Sequence, residues 1–468
     1  MKKYLMGTVT AVMLILTLFM PVYANSGPVY WQGYPAAEMM SVEPDTPITV
    51  ESEELVFDFS QQGHISYALE GRVTATYQMF NPTDEAQIVQ MAFPFVETLA
   101  RLNTDEIVIA AEQEKIPYEL YLGEQFQQAR FSPAGEEKMA FAFSRIVDAL
   151  TTQIYQAQNF ADNEQGKLYF FTVTPTTEQE INFVLDFSFD PQQTKILTKG
   201  FNRYERDSAK TRIAAWCRQQ TQLEVLVLCK DIEFESTAYT DGELGKQTKL
   251  YHEQKLVQTV KLKQYLLSFI QDKIPMQDKG LFAANQLYNL YAQFLDQIFT
   301  QNSGYCSEND LYAASNADRI MTLVYTVDFL PQEIKEVSIS YQTVGTMDKR
   351  ETTSPQYSYT YLLNPASHWK DFKNLNIKVI TPQEAPYVIN SSLELKQTEE
   401  RVYTAKLPDL PNGDFSFTLF AKERITAADK IAGKVNRAFG YFTPLLLGVL
   451  SLIMVIFLLV FIKKRKQK

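Results

Sequence analysis

The chain has 468 residues, with 55 acidic and 44 basic side chains, three histidines and three cysteines. The acidic excess would repel phosphate, which argues against nucleic acid as a partner. An odd cysteine count excludes a complete disulfide framework. His64, His252 and His368 have no second ligand at short helical or turn spacing, so no zinc site is expected.

In chain order, the first predicted element is an export signal over 1–24. Lys2 and Lys3 precede an apolar stretch from Leu5 to Met20, and Pro21-Val22-Tyr23-Ala24 offers small residues for cleavage. An uncleaved N-terminal anchor is the alternative reading. Next comes Tyr30-Trp31, with Tyr34 close behind, an aromatic group that could stack on a sugar or a partner protein.

From there the chain alternates apolar and polar residues, the period-two mark of half-buried strands. Such runs are predicted at 73–80, 88–95, 168–173, 181–189, 223–228 and 232–237. They return at 321–329, 337–343, 357–363, 375–380, 393–396 and 415–420. Met139, Phe143, Ile146, Leu150 and Ile154 fall at helical spacing, as do Leu281, Ala284, Tyr288, Tyr291, Leu295 and Ile298. A short helix is expected over 263–272, and Thr426 with Asp429 resembles a helix start. A bridge between Cys217 and Cys229 across a turn at 219–222 is disfavoured, because hairpin pairing would set Cys217 opposite about Glu224. Phe171 to Phe187 aligns without gaps onto Tyr325 to Tyr341, a hint of internal duplication.

The last predicted element is a membrane span over 441–462. Leu445 to Ile462 carries no charge, and with Tyr441 to Pro444 the segment reaches roughly 30 Å as a helix. Lys463, Lys464, Arg465, Lys466 and Lys468 follow at once, which places that end in the cytoplasm. Between signal and span lie all 55 acidic residues and 37 of the 44 basic ones, a net charge of about −18.

Three segments together resemble a loosely defined group of exported bacterial proteins of unknown function, with β-rich ectodomains and often a C-terminal anchor. The first runs from Ile48 to Phe57 and on through Asn81 to Phe93-Pro94-Phe95. The second is Tyr325 to Pro331 with Val337, Ile339, Tyr341 and Gly345. The third is Tyr361 to Ala366, leading through Trp369 and Phe372 to Val379. The resemblance implies no activity that could be carried over. The first segment is also similar to the sandwich that precedes von Willebrand-type domains in some secreted proteins. Asp186-Phe187-Ser188-Phe189-Asp190 lacks the second serine of their metal motif, however, and lies in a predicted strand.

The expected fold is mainly β: two β-sandwich-like domains with helical insertions, plus a single C-terminal transmembrane helix. The expected order is a signal peptide (1–24), an N-terminal sandwich (25–262) with a helical insertion at 136–158, and a helical segment (263–300). A C-terminal sandwich (301–424), a juxtamembrane helix (425–440), the span (441–462) and a cytoplasmic tail (463–468) follow. No pattern calls for a catalytic residue, a metal or a cofactor. The expected function is a membrane-anchored cell-surface module that binds a partner or supports the envelope. A membrane-anchored hydrolase acting on cell-wall or extracellular polymer is the alternative. Candidate partner-binding residues are Tyr30, Trp31, Tyr34 and Trp369. The expected partners are the lipid bilayer, through the C-terminal helix, and a surface protein or cell-wall glycan. For the tyrosines at 357, 359 and 361 the competing expectation is one buried face of a sheet.

Overall fold

The structure is a computed structural model. It describes residues 30–439 apart from 32, 44, 61–67, 127–142, 162, 209 and 274–279, and beyond 439 only residues 448 and 456. The expected signal peptide and cytoplasmic tail lie outside the described residues, as do nearly all of the expected span and the start of the 136–158 insertion. Among the described residues, no helix is long and apolar enough to cross a membrane.

The fold is mainly β, with five sheets among the described residues. It divides into two compact units that do not follow chain order. The first takes Met1–Val89, Asp105–Ile116 and Val327–Lys468, and the second takes Gln90–Thr104 and Pro117–Thr326. The reason is strand pairing. Thr49–Asp58 runs parallel to Lys373–Ile380, and Glu70–Phe80 runs antiparallel to Ile334–Val344. The interleaving therefore differs from the contiguous division expected at 262 and 301. The chain passes from one unit to the other within the strands Gln87–Glu97 and Arg319–Phe329.

In the first unit, an eight-stranded sheet has Lys373–Ile380, Thr49–Asp58, Glu70–Phe80 and Ile334–Val344 as its centre. Its long strands alternate as the sequence does: along Glu70–Phe80, Gly71, Val73, Ala75, Tyr77 and Met79 are buried and their neighbours are not. A six-stranded sheet is centred on Gln356–Leu362 and Phe415–Phe420. Rings join the two sheets. Phe57 lies 5.6 Å from Tyr361, 5.7 Å from Phe415 and 5.2 Å from Phe417, each edge to face, a geometry worth more than area alone. Of the three tyrosines in the one-face reading, Tyr359 and Tyr361 are buried and Tyr357 is half-buried.

Towards its C-terminal side the first unit carries the helix Ala427–Phe439. Thr426 and Asp429 form the expected start: Thr426 donates through its N–H and hydroxyl to the Asp429 carboxylate (2.9 and 2.6 Å). The Asp429 N–H in turn donates to Thr426 Oγ1. Gly433 rests against the backbone of Glu351 so closely that any side chain there would collide with it.

In the second unit, two five-stranded sheets share one apolar core. The first is ordered Tyr251–Lys261, Gln165–Pro175, Thr221–Cys229, Thr194–Lys199, Tyr305–Ser307. The second is ordered Arg203–Asp207, Lys210–Cys217, Ile181–Ser188, Glu235–Tyr239, Gln247–Thr248. Phe171, Val173, Leu223 and Val225 from one sheet meet Phe183, Leu185, Ile213 and Ala215 from the other. Burying side chains of this size contributes about 2 kcal/mol each.

Lys210–Cys217 and Thr221–Cys229 belong to different sheets, so the turn between them crosses the core and closes no hairpin. Cys217 and Cys306 are buried, Cys229 is exposed, and all three are free thiols. Phe171 to Phe187 and Tyr325 to Tyr341 also each leave one sheet for another, so neither pair is a bonded hairpin.

Several stretches depart from the expected elements, the strands Thr194–Lys199, Lys210–Cys217 and Val402–Asp409 and the helix Glu308–Asn316 among them; two are instructive. The helical stripe from 139 yields only the helix Phe143–Ala149. After it, the chain is held irregular by side chains of the helix Gln286–Gln301. Asn289 accepts from the Tyr155 N–H (2.8 Å), and Asp296 accepts from the N–H groups of Gln158 (2.9 Å) and Asn159 (2.8 Å). Backbone groups satisfied in this way have no need of a helix. The strand Tyr251–Lys261 was not expected at all. It pairs along its whole length with Gln165–Pro175, yet nearly every residue is exposed, so no alternation marks it in the sequence.

Candidate functional site

The most unusual chemistry lies inside the first unit. Thr49–Asp58 carries a bulge between Val50 and Ser52, and beyond it Glu53, Leu55 and Phe57 share the inward face. Glu53 thus occupies a core position, directly across from Tyr77. Glu38 reaches the same place from the N-terminal segment. Ala36 and Ala37 pair in parallel with Tyr361 and Leu362, and the Glu38 N–H donates to the Leu362 carbonyl (3.0 Å).

Both carboxyls are 0% exposed. Tyr77 donates its hydroxyl to Glu38 Oε2. Glu38 Oε1, both oxygens of Glu53 and the Tyr361 hydroxyl meet no partner of normal geometry. Two ionised carboxylates can only accept, so the acids satisfy one another only when a proton lies between them. Burial pushes Glu38 up to about 7, against the opposing pull of hydrogen bonds from Glu53, Tyr77, Tyr361 and the Met39 backbone. Burial, then the charge of Glu38 and the hydrogen bond to it, hold Glu53 well above the ordinary carboxylate range. Burial and the neighbouring acids likewise push up the phenols of Tyr341 and Tyr361. The arrangement is a pair of buried carboxyls with no cation paired to them among the described residues, ringed by tyrosines and sealed from solvent.

The aromatic residues singled out from sequence are placed as follows. Tyr30 and Trp31 form a two-residue strand against Asp348 and Met347, and both are half-buried. The Arg350 guanidinium lies 4.3 Å over the Tyr30 ring and also forks onto Asp348 (2.6–3.1 Å). Tyr34 is half-buried. Trp369 is only 5% exposed and donates its indole N–H to the Met39 carbonyl (3.3 Å), so as it stands the ring packs the core and offers no stacking face. None of the four was chosen for proximity to Glu38, yet Tyr30, Trp31 and Tyr34 share its segment. The acid pair itself was missed. Its signal was phase, because Glu53 stands two residues before Leu55 and four before Phe57.

In the second unit, an open cleft of about 550 Å³ is lined by Ser188, Phe189, Asp190, Pro191, Arg206 and Ser208. Arg206 sits 4.3 Å over Phe189, and the Asp190 carboxylate caps its own turn at Gln192 (2.9 Å). Asp190 is the one carboxylate in that lining. The acidic run Glu308-Asn309-Asp310 starts a helix: Ser307 and Asp310 form a capping box, and Glu308 accepts from the Gly200 N–H (2.6 Å). Among the described residues, no group of three or more His, Cys, Asp or Glu side chains could hold a metal ion.

The strand Tyr251–Lys261 is the outermost of its sheet. Leu256 is 57% exposed and Val257 50%, on opposite faces of the strand. Lys255 does not guard this edge, because its ammonium folds back to 4.9 Å over the Tyr169 ring.

No protein-family model and no curated protein matches the chain. Among solved structures, a protein of Legionella pneumophila subsp. pneumophila str. Philadelphia 1, provisionally named a nutrient binding protein, is similar at a TM-score of 0.32 and 12% identity. The likeness spans 88% of this chain and 77% of that one. At that score it carries nothing for function.

Proposed function

We propose that this protein is a cell-surface binding module: two β-sandwich-like domains, exported by the 1–24 signal and tethered by a helix over 441–462. It belongs, on this reading, with the exported and anchored β-rich bacterial proteins it resembles. The observation that carries the binding role is the strand Tyr251–Lys261. It offers eleven residues of unpaired edge among the described residues, with apolar side chains exposed on both faces. Natural sheets usually blunt such an edge with charge; here the charges Glu253 and Lys261 stand towards its ends, and the stretch between them, with Lys255 folded back, is a template for an added strand. The partner is therefore an extended stretch of another surface polypeptide.

Two measurements test this reading. Protease added to intact cells should remove the bulk of the chain, and an intracellular, protected chain would refute the topology. Full-length protein should recover an envelope polypeptide by crosslinking through the 251–261 region. Leu256→Lys with Val257→Lys should reduce that recovery about tenfold while leaving the fold intact. Undiminished recovery would remove the strand from the proposal.

A further inference from the structure

The acid pair joins two elements that are held very differently. Glu53 belongs to a ten-residue strand bonded on both sides, to Glu70–Phe80 and to Lys373–Ile380. Glu38 belongs to a segment held by short pieces. Tyr30–Trp31 and Ala36–Ala37 are two-residue strands, Gly33 donates to Thr346 Oγ1 (3.1 Å), and Trp369 reaches the Met39 carbonyl. A further two-residue strand, Met40–Ser41, ends the segment, and the segment's side chains from Ala36 to Ser41 are buried, so burial and not backbone pairing is what holds it closed. Short pairings part more readily than long central strands once that burial is opposed.

The titratable groups acting on the pair, from every strand around it, are acids and phenols. Glu53 comes from Thr49–Asp58, Tyr77 from Glu70–Phe80, Tyr341 from Ile334–Val344, Tyr361 from Gln356–Leu362, and Glu38 from the segment itself. Among the described residues, no lysine, arginine or histidine forms an ion pair with either acid. With both carboxyls protonated the site is neutral. Loss of a proton leaves a net charge in a sealed place with no cation to answer it, and loss of the second sets two like charges side by side. Only one of the acids can leave.

We propose that the Glu38–Glu53 pair is a proton-operated latch: protonated, it pins the N-terminal segment 30–41 to the first unit; deprotonated, it releases that segment, and with it Tyr30, Trp31 and Tyr34. Release frees the Tyr30 ring from Arg350 and turns a half-buried aromatic group into an accessible one. Because the latch is set by burial without a cation, it works in the neutral range, where ordinary carboxylates have long since ionised. The latch does not depend on the edge-strand reading above, since it lies in the other unit.

The test is hydrogen exchange on the full-length protein, corrected for the intrinsic pH dependence of exchange. Between about pH 5.5 and about pH 8.5, protection of peptides covering 30–41 should fall about tenfold, while peptides covering 221–229 hold theirs. Glu38→Gln combined with Glu53→Gln removes both titrating groups and should make protection of 30–41 independent of pH. Equal protection of the wild-type segment at the two pH values would overturn the latch, whether or not the double variant folds. So would a pH-dependent loss that persists in the double variant. Restoration of protection at high pH by calcium chloride would also overturn it, since the pair would then be a cation site.

Discussion

Two carboxylate sites, one in each unit, differ in the supply of donors and in company: one is a lone acid, the other two acids together. Asp296 in the second unit is 4% exposed. Burial alone would raise its pKa, but the Gln158 and Asn159 N–H groups, the Asn159 amide and the Tyr155 hydroxyl bring it below the ordinary range. Glu38 and Glu53 in the first unit have Tyr77 and little else, and burial prevails. Depth alone therefore does not decide the charge of a buried acid; the hydrogens aimed at it and the charges beside it count as well. Asp296 fixes a loop as an anion, and the acid pair favours its protonated form.

The contrast can be broken from either side. The largest effect is expected from Asp296→Leu, which strands several partly buried donors at once. It should cost about 3 kcal/mol in urea unfolding, with lost exchange protection over 153–159. The opposite sign is expected for the pair. Glu38→Met with Glu53→Leu replaces poorly satisfied acids by apolar groups of similar size and should stabilise the first unit by about 2 kcal/mol at alkaline pH.

The same double variant should flatten a pH profile. Glu38 titrates at about 7 in the folded state against an ordinary value of 4.5, so between those values the folded chain holds a proton that the unfolded chain has lost. Its contribution to stability is therefore complete below 4.5 and disappears as the pH rises through about 7. The slope is about 1.4 kcal/mol per pH unit for each proton retained. Wild-type protein that is as stable at pH 8 as at pH 5 in the first unit would contradict this.

The smallest effect is at a third carboxylate site, the start of the helix Ala427–Phe439. Asp429 is held down chiefly by hydrogen bonds from Lys422 and Thr426. Thr426→Ala removes one of these donors and the helix cap together, and should cost the helix Ala427–Phe439 about 1 kcal/mol, read as fraying of its first turn.

How much of this was legible follows from the same physics. Strands with one wet face, such as Glu70–Phe80 and Phe415–Phe420, write their period into the sequence, and they were found within a few residues. Tyr251–Lys261 exposes both faces and is a strand only because Gln165–Pro175 supplies its partner, so no local pattern records it. The helical stripe at 139–154 was real as a pattern, but Asn289 and Asp296, more than 130 residues away, claimed the backbone beyond Ala149. Tertiary competition of that kind cannot be seen locally. The acid pair was half legible. The phase of Leu55 and Phe57 points Glu53 inward, but its companion Glu38 arrives from a segment with no period at all. The aromatic residues near the mature N-terminus were noticed for their chemistry alone, and nothing in their spacing tied them to a titrating pair.

Gly433 carries one last consequence. The helix Ala427–Phe439 is seated backbone to backbone on Glu351, with no side chain between them to yield. A joint of that kind has no slack. A pull on this helix would therefore meet the body of the unit at this joint, backbone against backbone. Gly433→Ala would prise the joint apart by the width of one methyl group.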